Sequence, residues 1–367
     1  MLQVLKKMDW ILIGAIILLV IIGLLSIASA SQARTGAFTN FKKQLFFAAM
    51  GFILLGVFSF IDYRFLRNYS TVVLVLYILS IFLLILLLIL GNKIRGSASW
   101  FQVGSPIGVI GIEPVEAMKF VLIVVLAKYF SGRHVDFGLI RHIIVSGFYV
   151  LIPAVLVLLQ PDLGSAVLMI IVWVGMMLVS GIRARHLLVL FLIFAVLTGL
   201  SWKFFLKDYQ RARVLTFFEP QKDPLGKGYN VLQSMIAIGS GGFWGKGLGH
   251  GSQSQLNFLP EQHTDFIWAT IGEEWGFLGL SFILGLFGIV FWRLFLTAMM
   301  ATTNFARLFI FGFMVLLFAH ISINIGMNMG FLPVTGIPLP LLSYGGSNLV
   351  ATLVAFGIVQ NINISSK

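Results

Sequence analysis

"TVVLVLYILSIFLLILLLILG", Thr71 to Gly91, holds 21 residues without a charged side chain. Coiled as a helix it rises about 30 Å, the hydrocarbon thickness of a bilayer. A helix in lipid satisfies its backbone polar groups within the segment, so this stretch reads as a transmembrane helix. Similar apolar runs recur near residues 9–30, 44–61, 114–130, 142–159, 164–181, 186–206, 265–292, 305–325 and 346–362. The alternating segments of about ten residues that build a β-barrel are absent. Of the 367 residues, 59% are hydrophobic and 10% charged, with a mean hydropathy of +1.00; a soluble domain is roughly 25% charged. The expected architecture is an all-α polytopic membrane protein of about ten transmembrane helices, forming a single transmembrane domain over residues 1–367.

The first run follows Lys6, Lys7 and Asp9 without a small-residue cleavage site, so it reads as a retained helix and not a signal peptide. A cytoplasmic N-terminus puts Lys6, Lys7, Arg64, Arg67, Arg133, Arg141, Arg183, Arg185, Arg293 and Arg307 inside. Fewer cations, Arg34, Lys42, Lys43, Lys93 and Arg95, then fall in short outside loops, as the positive-inside rule asks. Both termini are expected in the cytoplasm. The net charge of +12 is a topology signal and an attraction to anionic lipid, with no sign of a nucleic-acid reader. The chain has no cysteine, which excludes disulfides and cysteine-ligated metals.

Two segments break the pattern of short connections. "GNKIRGSASWFQVGSPIGVIGIEP", Gly91–Pro114, has the glycine, serine and aromatic content of an interfacial loop and is expected to dip into the outer leaflet. The segment 207–264 is the one long loop, extracytoplasmic and between the seventh and eighth spans. Its apolar residues, glycine turns and amphipathic stretch Val231–Ile238 predict a folded cap over the outer helix ends.

Ionisable residues inside spans cost at least about 2.5 to 3.5 kcal/mol near the bilayer centre, so each is a functional candidate. In "EPVEAMKF" Pro114 suits a first helical turn, and Glu116 and Lys119 share a face at i,i+3, either as a packing ion pair or with Lys119 meeting a substrate anion from the outer surface. In "QPDLGSA" Asp162 suits an N-cap of the sixth helix. Lys207, Arg211, Arg213, Lys222 and Lys227 lie beside aromatics on the outer face, where arginine forks match phosphate oxygens. "PEQHTDFIWATIGEEWG", Pro260–Gly276, gathers four acidic residues and a histidine at the mouth of an apolar helix. Thr264 or Asp265 can cap that helix, yet a cap alone leaves Glu273 and Glu274 unexplained. "PVTGIPLPLLSYGGSN", Pro333–Asn348, reads as a re-entrant loop that completes an outer cavity.

Together "QPDLGSA", "LPEQHTDFI", "IGEEWG" and "GIPLPLLSYGGS" resemble, in order and spacing, the motifs of the SEDS family (shape, elongation, division and sporulation) of bacterial cell-wall proteins. "GSQSQLNFLPEQHTDFIWATIGEE" and "NIGMNMGFLPVTGIPLPLLSYGG" look most like its RodA branch and less like the division branch, FtsW. The resemblance implies a peptidoglycan glycosyltransferase that polymerises lipid II, an undecaprenyl-diphosphate-linked disaccharide pentapeptide, at the outer face of the bacterial cytoplasmic membrane. It also implies a class B penicillin-binding protein, a transpeptidase, as partner, within a set of elongation-complex membrane proteins. The family's essential aspartate corresponds to Asp265, and its fourth-span motif to Pro114, Glu116 and Lys119. Glu113 and Val115 replace the family's usual Gln and Ser, which adds a negative charge near the cavity.

The candidate site is thus Asp265 as catalytic carboxylate, with Glu116, Lys119, Arg211, Arg213, His263, Thr264 and Ser343 as substrate-binding residues. Forming a β-1,4 linkage from an α-linked sugar diphosphate inverts the anomeric carbon and needs one base for the acceptor 4-hydroxyl proton, which one carboxylate supplies. Cations can stabilise the departing diphosphate without an obligatory metal, although carboxylates and phosphates together can also hold Mg²⁺. The alternative function is a flippase for the lipid-linked precursor; against it, the unusual residues cluster on the outer side, while a transporter needs a polar route to both faces. A non-catalytic scaffold for a partner is a third reading.

Overall fold

The structure, a computed structural model, describes residues 6–34, 38–94, 97–105, 108–132, 140–183, 185–189, 192, 199, 227–256, 258–259 and 261–366. In chain order the elements are α1 (Trp10–Arg34), α2 (Thr39–Phe60), α3 (Arg64–Asn68), α4 (Ser70–Leu90), β1 (Asn92–Ile94), β2 (Ser97–Ser105), β3 (Gly108–Ile112), α5 (Pro114–Ser131), α6 (Ile140–Leu159) and α7 (Leu163–Val179). There follow α8 (Lys227–Gly241), α9 (Ser252–Gln255), α10 (Ile267–Met300), α11 (Asn304–Asn328) and α12 (Gly346–Ser366).

Seven of these, α1, α2, α4, α6, α10, α11 and α12, are long and apolar enough to cross a membrane, and α7 is a shorter apolar helix. α5 matches the expected fourth span but carries Glu116, Lys119 and Lys128. The expected seventh span, 186–206, falls largely outside the described residues, as do Arg211 and Arg213. The outward surface is apolar, with Ile53 67% and Ile89 74% exposed, as a helix bundle facing lipid tails requires.

The bundle is organised around α5 and α11. α11 packs on α5, α7 and α10; α10 packs on α1 and α8; α2 lies along α12. At the last contact small residues let the backbones approach: a Cβ on Gly357 would come within 2.7 Å of the Leu55 carbonyl oxygen. Phe313 and Phe356, both fully buried, meet edge to face at 4.8 Å between ring centroids and tie α11 to α12.

One end of the bundle collects both termini. Asp9 N donates to Gln360 Oε1 and Gln360 Nε2 to the Asp9 carbonyl, while Asn363 Nδ2 donates to the Lys7 carbonyl. Arg293 Nε donates to Asp9 Oδ2 at 2.7 Å, which fixes the distal part of α10 at this same end. The start of α10, next to Asp265, lies at the other.

The Gly91–Pro114 segment corrects its expectation: β1, β2 and β3 form an antiparallel meander, with Asn92 opposite Trp100 and Phe101 opposite Ile112. A loop near lipid must pair its own backbone groups, and a meander does so. The Trp100 ring covers Gly111 on the neighbouring strand, and Lys43 Nζ donates to the Val109 carbonyl at 2.7 Å, pinning the sheet to the first turns of α2. The described part of the long loop is folded, with α8 extending the expected helical stretch at both ends.

Candidate active site

Asp265 sits in a run of turns, 261–266, that enters α10. Glu261 takes a left-handed φ of 58° and its carbonyl accepts from Thr264 N and Phe266 N, closing the turn. Three successive carbonyls of this turn are then held from outside. The His263 carbonyl accepts from Tyr344 N at 2.7 Å, the Thr264 carbonyl from Ser343 Oγ at 2.6 Å, and the Asp265 carbonyl from Asn324 Nδ2 at 3.1 Å and Asn328 Nδ2 at 2.9 Å. Four donors thus hold the backbone that carries the Asp265 side chain. Asp265 itself is half-buried, and a Cβ built on Gly336 would lie 3.5 Å from its Oδ2, so the carboxylate rests against the re-entrant loop. Gly336 has a φ of +76°, a conformation other residues rarely adopt.

The expected cap by Thr264 or Asp265 is corrected. The helix starts at Ile267, with Phe266 as N-cap and no cap from its side chain. Thr264 Oγ1 instead turns back to the Glu261 carbonyl at 3.2 Å. A side-chain acceptor for the first turn comes from another helix: Asn328 Oδ1 accepts from Ala269 N at 3.3 Å.

Glu273 and Glu274 find their explanation one turn further on. α10 breaks at Gly276, where φ is 65° and ψ is −164°. Into the break fits the turn that follows α8: Lys246 N and Gly247 N donate to the Glu273 and Glu274 carbonyls, and Phe277 N and Leu278 N to the Gly242 and Phe243 carbonyls. The Glu273 carboxylate accepts from Lys246 Nζ, Gln253 N and Ser254 N at 2.9, 2.9 and 3.0 Å, so it caps α9 and holds the loop's lysine. Glu274 Oε1 accepts from Ser29 Oγ on α1 and from Gly249 N. Both glutamates clamp the long loop to the bundle.

Glu116 and Lys119 pair as their spacing predicts, at 2.7 Å. Lys119 is corrected in one respect: it was expected within reach of the outer surface, but it is 2% exposed, its ammonium held by Glu116 and 3.2 Å from His320 Nε2. Asn348 Nδ2 donates to Glu116 Oε2 at 2.8 Å, so the pair joins α5 to α11 and α12. His320, Asn324 and Asn328 stand at steps of four on α11, one turn or about 6 Å apart. This polar ladder runs from the ion pair to the Asp265 carbonyl. The sequence reading missed it. Its signal, polar residues recurring every fourth position of an apolar helix, is visible in "HISINIGMN", but asparagine is uncharged and escaped a search for ionisable groups.

Ser343 spends its hydroxyl on the Thr264 carbonyl and on Leu339 N at 2.9 Å, and His263 Nε2 lies 3.2 Å from Asn40 Nδ2 with its ring edge-on to Tyr344. Gln44 completes this side, donating to the Ser343 carbonyl and accepting from Gly345 N. The structure thus brings Asp265, His263, Thr264 and Ser343 into one assembly, with Glu116 and Lys119 connected to it through α11.

The "QPDLGSA" motif is explained by packing. Asp162 caps α7 by accepting from Ser165 N at 3.0 Å, Gln160 Nε2 donates to the Leu84 carbonyl at 2.9 Å, and Gly164 makes room for Thr335 and Ile337 of the re-entrant loop. Glu113, just before α5, donates its N–H to Ser347 Oγ. Burial and the neighbouring Glu116 and Asp162 push its carboxyl well above the usual carboxylate range, against the opposing pull of Lys119 and a hydrogen bond with Trp100. Among the described residues no group of three His, Asp or Glu side chains is arranged to hold a metal ion.

Residues 6–367 match the FtsW, RodA and SpoVE family, described as cell cycle proteins. The chain is 38% identical over 319 residues to the peptidoglycan glycosyltransferase MrdB of Escherichia coli (strain K12), covering 87% of this chain and 84% of that protein. It is 36% identical over 367 residues to stage V sporulation protein E of Bacillus subtilis (strain 168), covering 98% of each. Among solved structures, a chain from work on the structural coordination of polymerization and crosslinking by a peptidoglycan synthase complex aligns with a TM-score of 0.82 at 32% identity, over 98% of both chains. The rod shape determining protein RodA of Thermus thermophilus aligns with a TM-score of 0.71 at 29% identity, over 97% of this chain and 96% of that one. A multi-pass helical bundle matched along its length by these relatives, the chain belongs to the FtsW, RodA and SpoVE family, the SEDS proteins that its motifs resemble.

Proposed function

We propose that this protein is a peptidoglycan glycosyltransferase that polymerises lipid II into β-1,4 glycan strands during cell-wall elongation, with Asp265 as general base. The observation that carries the reading is the placing of Asp265 in the turn that enters α10, its carbonyl held by Asn324 and Asn328 and its carboxylate against the re-entrant loop. Relatives named peptidoglycan glycosyltransferase support it.

In the proposed reaction the acceptor 4-hydroxyl attacks the anomeric carbon of the donor sugar from the face opposite the diphosphate. The C–O bond to the diphosphate breaks, configuration inverts, and Asp265 takes the hydroxyl proton. The diphosphate carries away the electron pair, and Arg211 and Arg213 are its proposed ligands. Lys119, buried as it is, acts through the packing of α5 against α11; His263, Thr264 and Ser343 shape the loop that meets the sugars. No metal is required in this scheme, and Mg²⁺ at the diphosphate is compatible with it.

In this reading the protein sits in the bacterial cytoplasmic membrane with both termini inside and the Asp265 end outside; the cations gathered in the short loops on the side of the termini support it. A class B penicillin-binding protein is the proposed partner, with further elongation-complex membrane proteins; a relative's presence in a peptidoglycan synthase complex supports this. Reconstitution with fluorescent lipid II tests the reading: polymer ladders are expected, and bilayer scrambling without polymer would instead indicate a flippase.

A further inference from the structure

We infer that Asn324, with Asn328 one turn above it, is a positioning residue that sets the direction of the Asp265 carboxylate. The inference rests on the reading of Asp265 as the general base. One carboxamide serves two strands of the site: Asn324 Nδ2 donates to the Asp265 carbonyl at 3.1 Å and to the Ile337 carbonyl at 2.8 Å. Ile337 follows Gly336, the residue against which Asp265 Oδ2 rests. The same nitrogen therefore fixes both the backbone that carries the carboxylate and the backbone that the carboxylate faces.

Asn328 tightens the arrangement from the other side. Its Nδ2 donates to the Asp265 carbonyl and to the Asn324 carbonyl at 2.9 and 2.8 Å, and its Oδ1 accepts from Ala269 N and from Ser234 Oγ at 3.3 Å each. It ties the site to the start of α10 and to α8 of the outer loop in one step. Both asparagines are fully buried. The ladder continues downward to His320, which meets Lys119.

The residue type follows from the chemistry. A primary amide offers two N–H donors without a charge, so it holds two carbonyls while leaving the basicity of a nearby carboxylate unaltered. A lysine would donate as well but would depress that basicity by its charge. An aspartate cannot donate when ionised, and an apolar side chain would take the amide donor from the Ile337 carbonyl and leave the Asp265 carbonyl to Asn328 alone. Misplacing a reacting group by about 1 Å costs on the order of 100-fold in rate.

The experiment compares wild type, Asn324→Ala, Asn324→Ser and Asp265→Asn of the full chain, each reconstituted and assayed with fluorescent lipid II. Asn324→Ala is expected to lower kcat about 100-fold, with KM within about threefold of wild type. Asn324→Ser, which keeps one donor, is expected to recover part of the loss. A kcat within about threefold of wild type in Asn324→Ala, with Asp265→Asn inactive, overturns this inference alone. So does a loss confined to KM, or one in which kcat falls only in step with a lower yield of folded protein. An active Asp265→Asn overturns the reading of the base instead. Where Asn324→Ala does not insert, Asn324→Ser carries the same comparison of kcat with KM.

Discussion

A lysine with 2% exposure survives inside an apolar bundle because Glu116 and His320 hold its ammonium. Lys119→Met leaves a buried Glu116 charge behind, so it is expected to destabilise the protein by about 3 to 5 kcal/mol. Glu116→Gln combined with Lys119→Met should recover most of that. Thermal unfolding of the three variants in one detergent measures it, and a single mutant as stable as wild type would remove the structural role. Glu113 responds to pH. Burial beside Glu116 and Asp162 holds its carboxyl well above the usual carboxylate range in the fold, so the folded state keeps the proton where the unfolded chain has lost it, and its effect on stability worsens as pH rises above that usual range. Glu113→Gln should therefore raise the melting temperature at pH 8 and change it little at pH 4; the opposite order would contradict the assigned environment. The position of Asp265 at the mouth of α10 was legible because a charge beside an apolar run stands out. The pairing of Glu116 with Lys119 followed from i,i+3 spacing, but its burial did not, since His320 and Asn348 lie some 200 residues away and sequence spacing says nothing of them.

At the scale of elements, α10 depends on its interruption. A Cβ on Gly276 would fall 2.3 Å from Gly245 N and 2.8 Å from the Phe243 carbonyl oxygen, and its φ of +65° adds strain on the order of 1 to 3 kcal/mol for an L side chain. Gly276→Ala is expected to expel the 242–247 turn, seen as faster hydrogen exchange at Phe277 and Leu278; unchanged protection there would mean that the turn does not plug the break. Glu273→Gln should speed exchange at Gln253 and Ser254, whose amides its carboxylate accepts, and leave distant helices alone. The spans were legible because length and apolarity suffice to define them. The β-meander was not: β1 and β3 are short, and β2 carries serines and a glycine and β3 glycines, without the sustained alternation that marks a half-buried strand. The role of Glu273 was equally hidden, because its partners belong to a loop whose path only the fold reveals.

In the whole molecule the long loop reaches the site through Asn328, which accepts from Ser234 of α8 and donates to the Asp265 carbonyl. A partner that docks on this loop would bear on the proposed base without new chemistry. Hydrogen exchange over residues 207–264 should accordingly slow when the transpeptidase binds. Activation with unchanged protection would place the coupling elsewhere, at α5 and the meander. The central claim is that one carboxylate performs the proton transfer, and polymerisation of lipid II by reconstituted Asp265→Asn tests it most directly. The side chain keeps its size and the backbone keeps its four donors, so insertion and partner binding should match wild type while glycan strands fail to form. Polymer produced near the wild-type rate would contradict the account.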